Sequence, residues 1–405
     1  MKITGIIAEY NPFHNGHRYH LAQTRLRTGC DAIVVVMSGD FVQRGYPAIT
    51  DKYLRAEAAL RCGADLVLEL PVYGSAASAE DFAGAGVRAL AALRCVDTLS
   101  YGAEDAEVGV DTFRNIAAFL SEEPADYKAV LLRRVKAGNS YAKARALALA
   151  DFFPQAAELL SKPNNILAVE YERALMRTGA PVASCVISRT DRGYHDTSVA
   201  EVCSATAIRE TLASGGHFPL QSVPEEIRDL CEPLTASTTI SPDDASDMLF
   251  AALRAHSQAS LSAVYDIPAD LANRILSQSE QPFTWTSLAE SVKCKAFTRT
   301  RIDRALCHAL LDITEADADS FKSAECLPYL RVLGVRSDAQ GLLAELRKAS
   351  KIPLLCRLNE DMHALTEPAK VLLTKDLRAS ALYSQLLFSK CGVTRSDTHR
   401  RLLTV

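Results

Sequence analysis

The 405-residue sequence contains no C-x-x-C pair, although it has 11 cysteines. An odd number of singly scattered thiols argues against a disulfide framework and against a structural zinc site built from paired cysteines. Free thiols are typical of a reducing compartment. We therefore expect a cytoplasmic protein.

Long apolar runs are absent too, since no stretch of 18 apolar residues occurs. The apolar part of the amino-terminal segment MKITGIIAEYNPF is too short for a signal sequence, and we expect no membrane span. Neither sign of charge dominates, because 45 Lys and Arg stand against 49 Asp and Glu. The balance excludes an overall basic coat for nucleic acid but allows one local basic face.

Apolar strands and helical segments alternate through the first half of the chain. The strands are predicted within residues 2–10, 30–39, 64–71, 95–102 and 180–189. The second is apolar almost throughout, which is typical of a strand buried on both faces of a parallel sheet. This order predicts an α/β fold, a doubly wound parallel sheet over residues 1–215 with a helical insertion, followed by a mainly α-helical domain over residues 216–405.

The segment HNGH, residues 14–17, lies where the first strand passes into the first helix. Ligands of open α/β sheets bind beyond the carboxyl ends of the strands, and a helix N-terminus at that place favours anions. Gly16 permits close approach of the backbone. His14 and His17 can donate hydrogen bonds to phosphate and stabilise charge on a pentacoordinate phosphorus. We therefore predict a phosphate site in which both histidines are catalytic.

Two other interpretations of these histidines remain open. His14, His17 and His20 could together bind zinc, although no cysteine or carboxylate lies nearby at ligand spacing. The histidines could also serve packing alone. A glycine between two histidines at a strand–helix junction favours phosphate over both.

A second segment, CSATAIR at residues 203–209, accompanies HNGH. The two resemble the H-x-G-H and I-S-S-T-x-x-R signatures of the nucleotidylyltransferase superfamily, with Ser-Ala in place of Ser-Ser. That resemblance implies a HUP/Rossmann-like domain that binds ATP, reacts at the α-phosphate and releases pyrophosphate. It also implies that Ser204, Thr206 and Arg209 hold the β- and γ-phosphates, work that suits an arginine fork.

Longer segments, spread over nearly the whole chain, resemble one particular family. They are GIIAEYNPFHNGH from residue 5, SGDFVQRGYPAITDKYLRAEAAL from 38, GADLVLELP from 63, KPNNILAVEY from 162 and KCKAFTRTRIDRALCHALL from 293. Together they resemble the tRNA(Met) cytidine acetate ligase family. The resemblance implies an ATP-dependent ligase that forms acetyl-adenylate and acetylates N4 of the wobble cytidine of elongator tRNA(Met), with ATP and acetate as substrates and Mg²⁺ present.

The same resemblance implies where ATP binds. The implied contacts, besides the three phosphate residues above, are Ile7, Ala8, Glu9, Tyr10, Asn11, Pro12, Phe13, Asn15, Gly16, His20, Gly102, Asn164, Asn165, Arg189 and Thr190. Asn165 is also a good helix N-cap on physical grounds.

The loop after the second strand supplies further candidates. Phe41 and Arg44 are expected beside the substrate, with Arg44 pairing either with acetate or with the phosphates. Asp40 is assigned as a catalytic carboxylate that helps to hold Mg²⁺. Its alternative role is a turn or helix cap.

Late in the chain, a local excess of positive charge surrounds Phe297. Its members are Lys293, Lys295, Arg299, Arg301 and Arg304, set against Glu290 and Asp303. The resemblance favours contacts with tRNA phosphates and a base, and a solvated helix face is the alternative.

Two other classes of function remain. A small-molecule nucleotidylyltransferase would transfer adenylyl to a phosphate acceptor and would not need the helical half. A non-catalytic nucleotide-sensing RNA-binding protein would not need an intact HNGH. The sequence predicts no oligomeric state and does not identify the group that takes the proton from N4.

Overall fold

Strands from both halves of the chain build the central sheet. The computed structural model describes residues 1–189, 204–323 and 327–405. The strands are β1 Ile3–Ala8, β2 Ala32–Ser38, β3 Phe41–Val42, β4 Tyr46–Pro47, β5 Leu66–Leu70, β6 Thr98–Ala103, β7 Ala183–Ser188, β8 Leu330–Val335, β9 Leu354–Leu355 and β10 Leu403–Thr404.

Helices cover the sheet and form most of the second half. They are α1 Asn15–Thr28, α2 Lys52–Arg61, α3 Val72–Ser75, α4 Ala79–Ala92, α5 Val110–Glu122, α6 Ala125–Lys136, α7 Tyr141–Leu149, α8 Ala156–Leu159, α9 Pro163–Thr178, α10 Ala205–Ala213, α11 Arg228–Cys231, α12 Ser246–Arg254, α13 Gln258–Leu261, α14 Ala269–Gln278, α15 Trp285–Val292, α16 Arg299–Leu311, α17 Glu315–Ser323, α18 Gln340–Ala349, α19 Leu358–Asp361 and α20 Glu367–Cys391. In the part of the chain that the structure describes, none of them is long and apolar enough to cross a membrane.

The sheet runs in the order β10-β8-β5-β2-β1-β6-β7, with β9 beside β8. The five strands β5, β2, β1, β6 and β7 are mutually parallel, which confirms the α/β fold and the five predicted strands. Because β1 has β2 on one side and β6 on the other, the winding reverses at β1. Such a reversal opens a crevice beyond the carboxyl ends of the strands.

One edge of the sheet differs from the prediction of parallel strands alone. β8 pairs antiparallel with β5, and β9 and β10 add parallel to β8. The second half is mainly helical as expected, but it also completes this edge. β9 and β10 have two residues each, too few for a periodic pattern to reveal. The domain boundary near residue 215 stays a prediction.

Helix α4 lies close against β1 because both elements carry a glycine at the contact. A Cβ on Gly5 would lie 2.6 Å from the side chain of Leu90, and one on Gly86 would lie 2.6 Å from Ile7. All seven residues of β2 are buried, as expected for a strand covered on both faces. This packing fixes the end of β1, from which the histidine turn departs.

Candidate active site

A cavity of about 520 Å³ opens beyond the carboxyl ends of β1, β6 and β7. The first turns of α1, α9 and α10 also border it, so that three helix N-termini meet there. Most of the predicted contacts line it, namely Ile7, Ala8, Glu9, Tyr10, Asn11, His14, Asn15, Gly16, His17, His20, Arg44, Gly102, Asn164, Arg189, Ser204, Thr206 and Arg209. Thr190 and Cys203 lie outside the described residues.

His14 and His17 form a reciprocal cap at the start of α1. The Nδ1 atom of His14 accepts a hydrogen bond from the Gly16 N–H at 3.0 Å, and Nδ1 of His17 accepts from the His14 N–H at 3.3 Å. A neutral imidazole that accepts at Nδ1 carries its proton on Nε2. The backbone therefore selects the tautomer in which both rings are Nε2–H donors.

Burial keeps these rings neutral. It lowers the pKa of His14 to about 3, with help from the positive charges of Arg189 and Arg209. Burial and the neighbouring His14 lower the pKa of His17, and burial with Arg189 lowers the pKa of His20 to about 4. At neutral pH the site thus presents uncharged imidazoles beside arginine charges.

The three histidines are not arranged as a metal site. Within the described ranges, no group of three or more His, Cys, Asp or Glu side chains could hold a metal ion. The Nδ1 atoms of His14 and His17 are engaged by the helix cap, and Nε2 of His20 lies 3.2 Å from Oγ of Ser100. The geometry therefore gives no support to the zinc interpretation.

Two glycines make room for side chains that enter the cavity. A Cβ on Gly16 would lie 2.8 Å from Cε1 of His14, so any larger residue would displace the ring. A Cβ on Gly102 would lie 2.9 Å from Cγ of Arg189. We expected Gly16 to allow close backbone approach to the ligand and Gly102 to contact ATP. In the structure they also seat His14 and Arg189.

The cavity is electropositive on the side of α10. Ser204 caps this helix by accepting from the Ala207 N–H at 3.2 Å. Arg209 donates to Oγ1 of Thr206 at 3.0 Å and to the Asn11 carbonyl at 2.5 Å, which holds its guanidinium beside the histidine turn. A helix N-terminus and a fixed guanidinium group are suited to bind phosphate oxygens.

Glu104 binds both asparagines at the start of α9. Its Oε1 accepts from Nδ2 of Asn164 at 2.6 Å, and its Oε2 accepts from the Asn165 N–H at 2.9 Å. Asn165 lies inside α9, whose N-cap is Lys162, so its predicted capping role is wrong. Its buried side chain accepts from the N–H groups of Glu104 and Asp105 and does not line the cavity.

Asp40 and Phe41 require correction. Both carboxylate oxygens of Asp40 pair with Arg395, at 2.8 and 2.7 Å, and Lys52 lies 3.4 Å away. Burial alone would raise the pKa of Asp40, but Arg395 and Lys52 outweigh burial and hold the pKa below its usual range. Phe41 is fully buried in the core. Neither lines the cavity, so the structure does not support Asp40 as a metal-holding catalytic group or Phe41 as a substrate contact.

Pro12 and Phe13 support the turn from behind. The Asn11–Pro12 peptide bond is cis, and the ring of Phe13 packs edge-on against Tyr10 at 4.9 Å between centroids. Both residues are buried, and neither borders the cavity. They belong to the architecture of the predicted site rather than to its surface.

The basic segment around Phe297 is largely neutralised. Four of its five cations form ion pairs, namely Lys293–Glu290 (3.3 Å), Arg299–Glu290 (2.7 Å), Arg299–Asp303 (2.9 Å), Arg301–Asp266 (3.0 Å) and Arg304–Asp266 (3.9 Å). Phe297 is buried beneath the Arg301 guanidinium and is not exposed for a base, contrary to expectation. Lys295 is exposed. Contact between this segment and tRNA stays a prediction.

The sequence pattern did not reveal the apolar wall of the cavity. Phe82 of α4, Tyr101 of β6, and Leu167 and Tyr171 of α9 line it. Pro163, Leu167 and Tyr171 follow one another at intervals of four, so the helical period after KPNN was the available signal. Phe82 and Tyr101 carried no such signal.

Comparison with known proteins identifies the family. The family model described as HIGH Nucleotidyl Transferase matches residues 1–398. The tRNA(Met) cytidine acetate ligase of Thermoanaerobacter sp. (strain X514) is 36% identical over 393 residues, 95% of each chain, and that of Syntrophotalea carbinolica is 37% identical over 98% of this chain and 96% of its own. The crystal structure of Thermotoga maritima TmcAL bound with alpha-thio ATP superposes with a TM-score of 0.87 at 28% identity, covering 100% of this chain and 99% of that one. The chain therefore belongs to the HIGH Nucleotidyl Transferase family and to the enzyme family of the tRNA(Met) cytidine acetate ligases.

Proposed function

We propose that this enzyme activates acetate with ATP as acetyl-adenylate and then acetylates N4 of the wobble cytidine of elongator tRNA(Met). The observation that carries the proposal is the pair of neutral Nε2–H donors, His14 and His17, at the N-terminus of α1 beside Arg209. This arrangement is suited to a reaction at a phosphate. The names of the relatives supply the acceptor.

In the first step an acetate oxygen attacks the α-phosphorus of ATP. The bond from that phosphorus to the bridging oxygen breaks, and pyrophosphate leaves with the electron pair. His14 and His17 donate to the oxygens whose negative charge grows in the transition state, and fixed donors of this kind act without reorganisation. Arg209, Thr206 and Ser204 hold the β- and γ-phosphates, where the leaving charge appears.

The apolar wall and the rim complete the binding of ATP. Tyr101, Leu167 and Tyr171 offer an apolar surface for the adenine ring, and Asn164 and Arg189 also line the cavity, joined by a hydrogen bond from Arg189 to Asn164. Arg44 also lines the cavity and would pair with acetate or with a phosphate.

Glu9 is the cavity carboxylate best placed to share a Mg²⁺ ion with ATP. It accepts a hydrogen bond from the Gln43 N–H at Oε1, 2.7 Å away, and lines the cavity near the histidine turn. Mg²⁺ is commonly held by one or two carboxylates together with substrate phosphates. The ion would neutralise phosphate charge there.

In the second step N4 of the cytidine attacks the acetyl carbon. The bond between that carbon and the AMP oxygen breaks, AMP leaves, and N4 loses a proton to water or to a group of the site. A wobble base lies in a loop and is already unpaired, which lowers the cost of bringing it into a cavity. The nine described cysteines are free, and a cytoplasmic location stays our prediction.

The test is incubation of the protein with ATP, Mg²⁺, radiolabelled acetate and an elongator tRNA(Met) transcript, followed by digestion to nucleosides. We expect label in N4-acetylcytidine and none when ATP is omitted. Adenylyl transfer to a phosphate acceptor without labelled tRNA would contradict the proposal and favour the small-molecule nucleotidylyltransferase.

A further inference from the structure

The insertion between β6 and α9 carries a local excess of positive charge that the mechanism above leaves unused. Residues 125–149, which span α6 and α7, contain six Lys or Arg residues and one Asp, in a chain whose net charge is −4. Such a concentration in an acidic protein is an electrostatic footprint for a polyanion.

Three of these six cations lie beside acidic side chains, and the other three do not, among the residues that the structure describes. Lys128 and Arg134 lie 3.6 and 3.7 Å from acidic side chains, and Arg145 pairs with a buried glutamate. Arg133, Lys136 and Lys143 are exposed, and no ion pair is recorded for them among the described residues. They contrast with the 293–304 segment, in which four of five cations are paired.

Exposed apolar and aromatic side chains stand between these cations. Leu132 is 54% exposed and Tyr141 is 60% exposed, although the other face of α6 is anchored in the core by Tyr127. Cations interleaved with an exposed aromatic ring are typical of surfaces that bind nucleic acid, where bases stack and phosphates pair.

The insertion is continuous with the candidate active site. Arg145 of α7 bonds to Glu170 of α9 at 2.6 Å, and Leu167, one turn earlier on α9, lines the cavity. Nδ2 of Asn165 donates to the Leu159 carbonyl at the end of α8. An RNA that rests on α6 and α7 would therefore adjoin the cavity wall formed by α9.

We propose that the exposed side chains Arg133, Lys136, Tyr141 and Lys143 of α6 and α7, together called the insertion face, form the main surface that binds tRNA. The proposal rests on the proposed function, from which the identity of the RNA is taken. It replaces the 293–304 segment as the principal phosphate-contacting surface. The lysines and arginine contact phosphates, and Tyr141 stacks on an unpaired base.

The test compares binding of a fluorescent elongator tRNA(Met) transcript to three double charge reversals, measured by anisotropy across a salt series. They are K136E/K143E on the insertion face, K348E/K351E as the matched control of equal charge change, and K293E/K295E on the segment named by resemblance. Acetate-dependent ATP–pyrophosphate exchange is measured on each as an independent report on the cavity.

We expect K136E/K143E to weaken tRNA binding about tenfold and to reduce the steepness of the logarithmic salt dependence by about 1.5, because two phosphate contacts are lost. The other two variants should bind within about twofold of the wild type. Tyr141→Ala should weaken binding about fivefold without changing the salt dependence, since stacking releases no counterions.

Wild-type affinity in K136E/K143E, or a larger loss in K293E/K295E, would overturn the proposal. An equal loss of tRNA affinity in K348E/K351E would show that net charge alone weakens binding, and it would also overturn the proposal. A wild type that binds anionic vesicles but not tRNA would contradict it as well. Failure of the proposed function is distinct, because the wild type itself would then show no acetate-dependent exchange.

Discussion

Two imidazoles kept neutral by burial decide what the histidine turn can do. Because His14 and His17 accept backbone N–H groups at Nδ1, each ring has one free donor, at Nε2. Their low pKa values mean that the donors keep the same protonation state across the physiological range. The positive charge of the site comes instead from Arg44, Arg189, Arg209 and the helix ends.

His17→Ala should lower acetate-dependent ATP–pyrophosphate exchange by about 100-fold or more, because removal of one preorganised donor to a transition-state oxyanion costs that much. His17→Asn, which keeps a donor and a cap acceptor, is the companion variant. We expect it to retain the melting temperature of the wild type and to recover part of the exchange. Exchange within tenfold of the wild type in the alanine variant would contradict the assigned role.

Acid should weaken the fold through His20. Its pKa is about 4 in the folded protein, lowered by burial, and its ordinary value is about 6.5. Below pH 6.5 the unfolded chain binds the proton and the folded chain does not, so stability is lost as the pH falls toward 4, by about 1.4 kcal/mol per pH unit for this group. Urea titrations at pH 7 and pH 5 measure the loss.

His20→Gln is the control for that titration, because glutamine can still meet Oγ of Ser100 but does not titrate. The variant should lose less stability than the wild type between pH 7 and pH 5. Equal losses in the two proteins would show that His20 does not cause the effect.

The histidine turn was predictable because its determinants are local. A strand, a glycine and a helix start within ten residues define where His14 and His17 point. Asp40 was not predictable in this way, since Arg395, which occupies both its oxygens, lies 355 residues away. A carboxylate in a buried ion pair and a carboxylate that binds metal both appear in the sequence simply as Asp. Only the distant partner, Arg395, shows which of the two Asp40 is.

At the scale of elements, a buried ionic network joins the loop after β2 to the end of the chain. Lys52 of α2 donates to Glu69 of β5 at 2.8 Å and to Asp397 at 2.7 Å, and Arg331 of β8 pairs with Asp397 at 2.8 Å. The network holds the loop that continues to Gln43 and Arg44. Removal of one partner leaves a buried charge uncompensated.

Asp40→Asn should lower the free energy of unfolding by about 3–5 kcal/mol, because Arg395 and Lys52 lose a buried counter-charge. ATP affinity, measured well below the melting temperature, should stay within about threefold of the wild type, because Asp40 does not line the cavity. Asp338→Asn is the control, since its pair with Arg336 lies at the surface and the variant should unfold at nearly the same urea concentration as the wild type. A stable Asp40→Asn variant that binds no ATP would reinstate Asp40 as a site residue.

The predicted elements succeeded where a pattern spans enough residues. β2 reads as apolar over its whole length, and α1 ends at Gly29 in the left-handed conformation expected of a helix stop. β8 was missed although it is fully buried, because a segment of six residues, LRVLGV, in a helical context fits either structure. Its pairing with β5 depends on tertiary contacts, which a short stretch of sequence does not reveal.

For the whole molecule, the turn between β3 and β4 connects the cavity to the helical half. Gly45, next to Arg44, has φ +82°, and a Cβ there would collide with the backbone of Arg304 in α16. This contact sets the position of a cavity cation by packing against a helix from the second half of the chain.

Gly45→Ala should destabilise the protein more than Gly109→Ala. Gly109 has φ +80° and ψ +158°, a conformation open essentially to glycine alone, but no atom lies within 4 Å of an added Cβ, so it reports backbone strain alone, about 1–3 kcal/mol. Gly45 adds a steric clash, for which we expect a further 1–3 kcal/mol or so in urea unfolding, about the cost of overpacking. Equal losses at the two positions would mean that the turn can move away from α16 freely.

The ionic network is completed only late in the synthesis of the chain. Lys52 emerges from the ribosome 345 residues before its partner Asp397. At roughly 5–20 residues per second, the nascent chain holds Lys52 with Asp40 and Glu69 but without Asp397 for about 20–70 seconds. The early sheet can form during translation, but the loop that carries Arg44 receives its final support only after Arg395 and Asp397 have been synthesised.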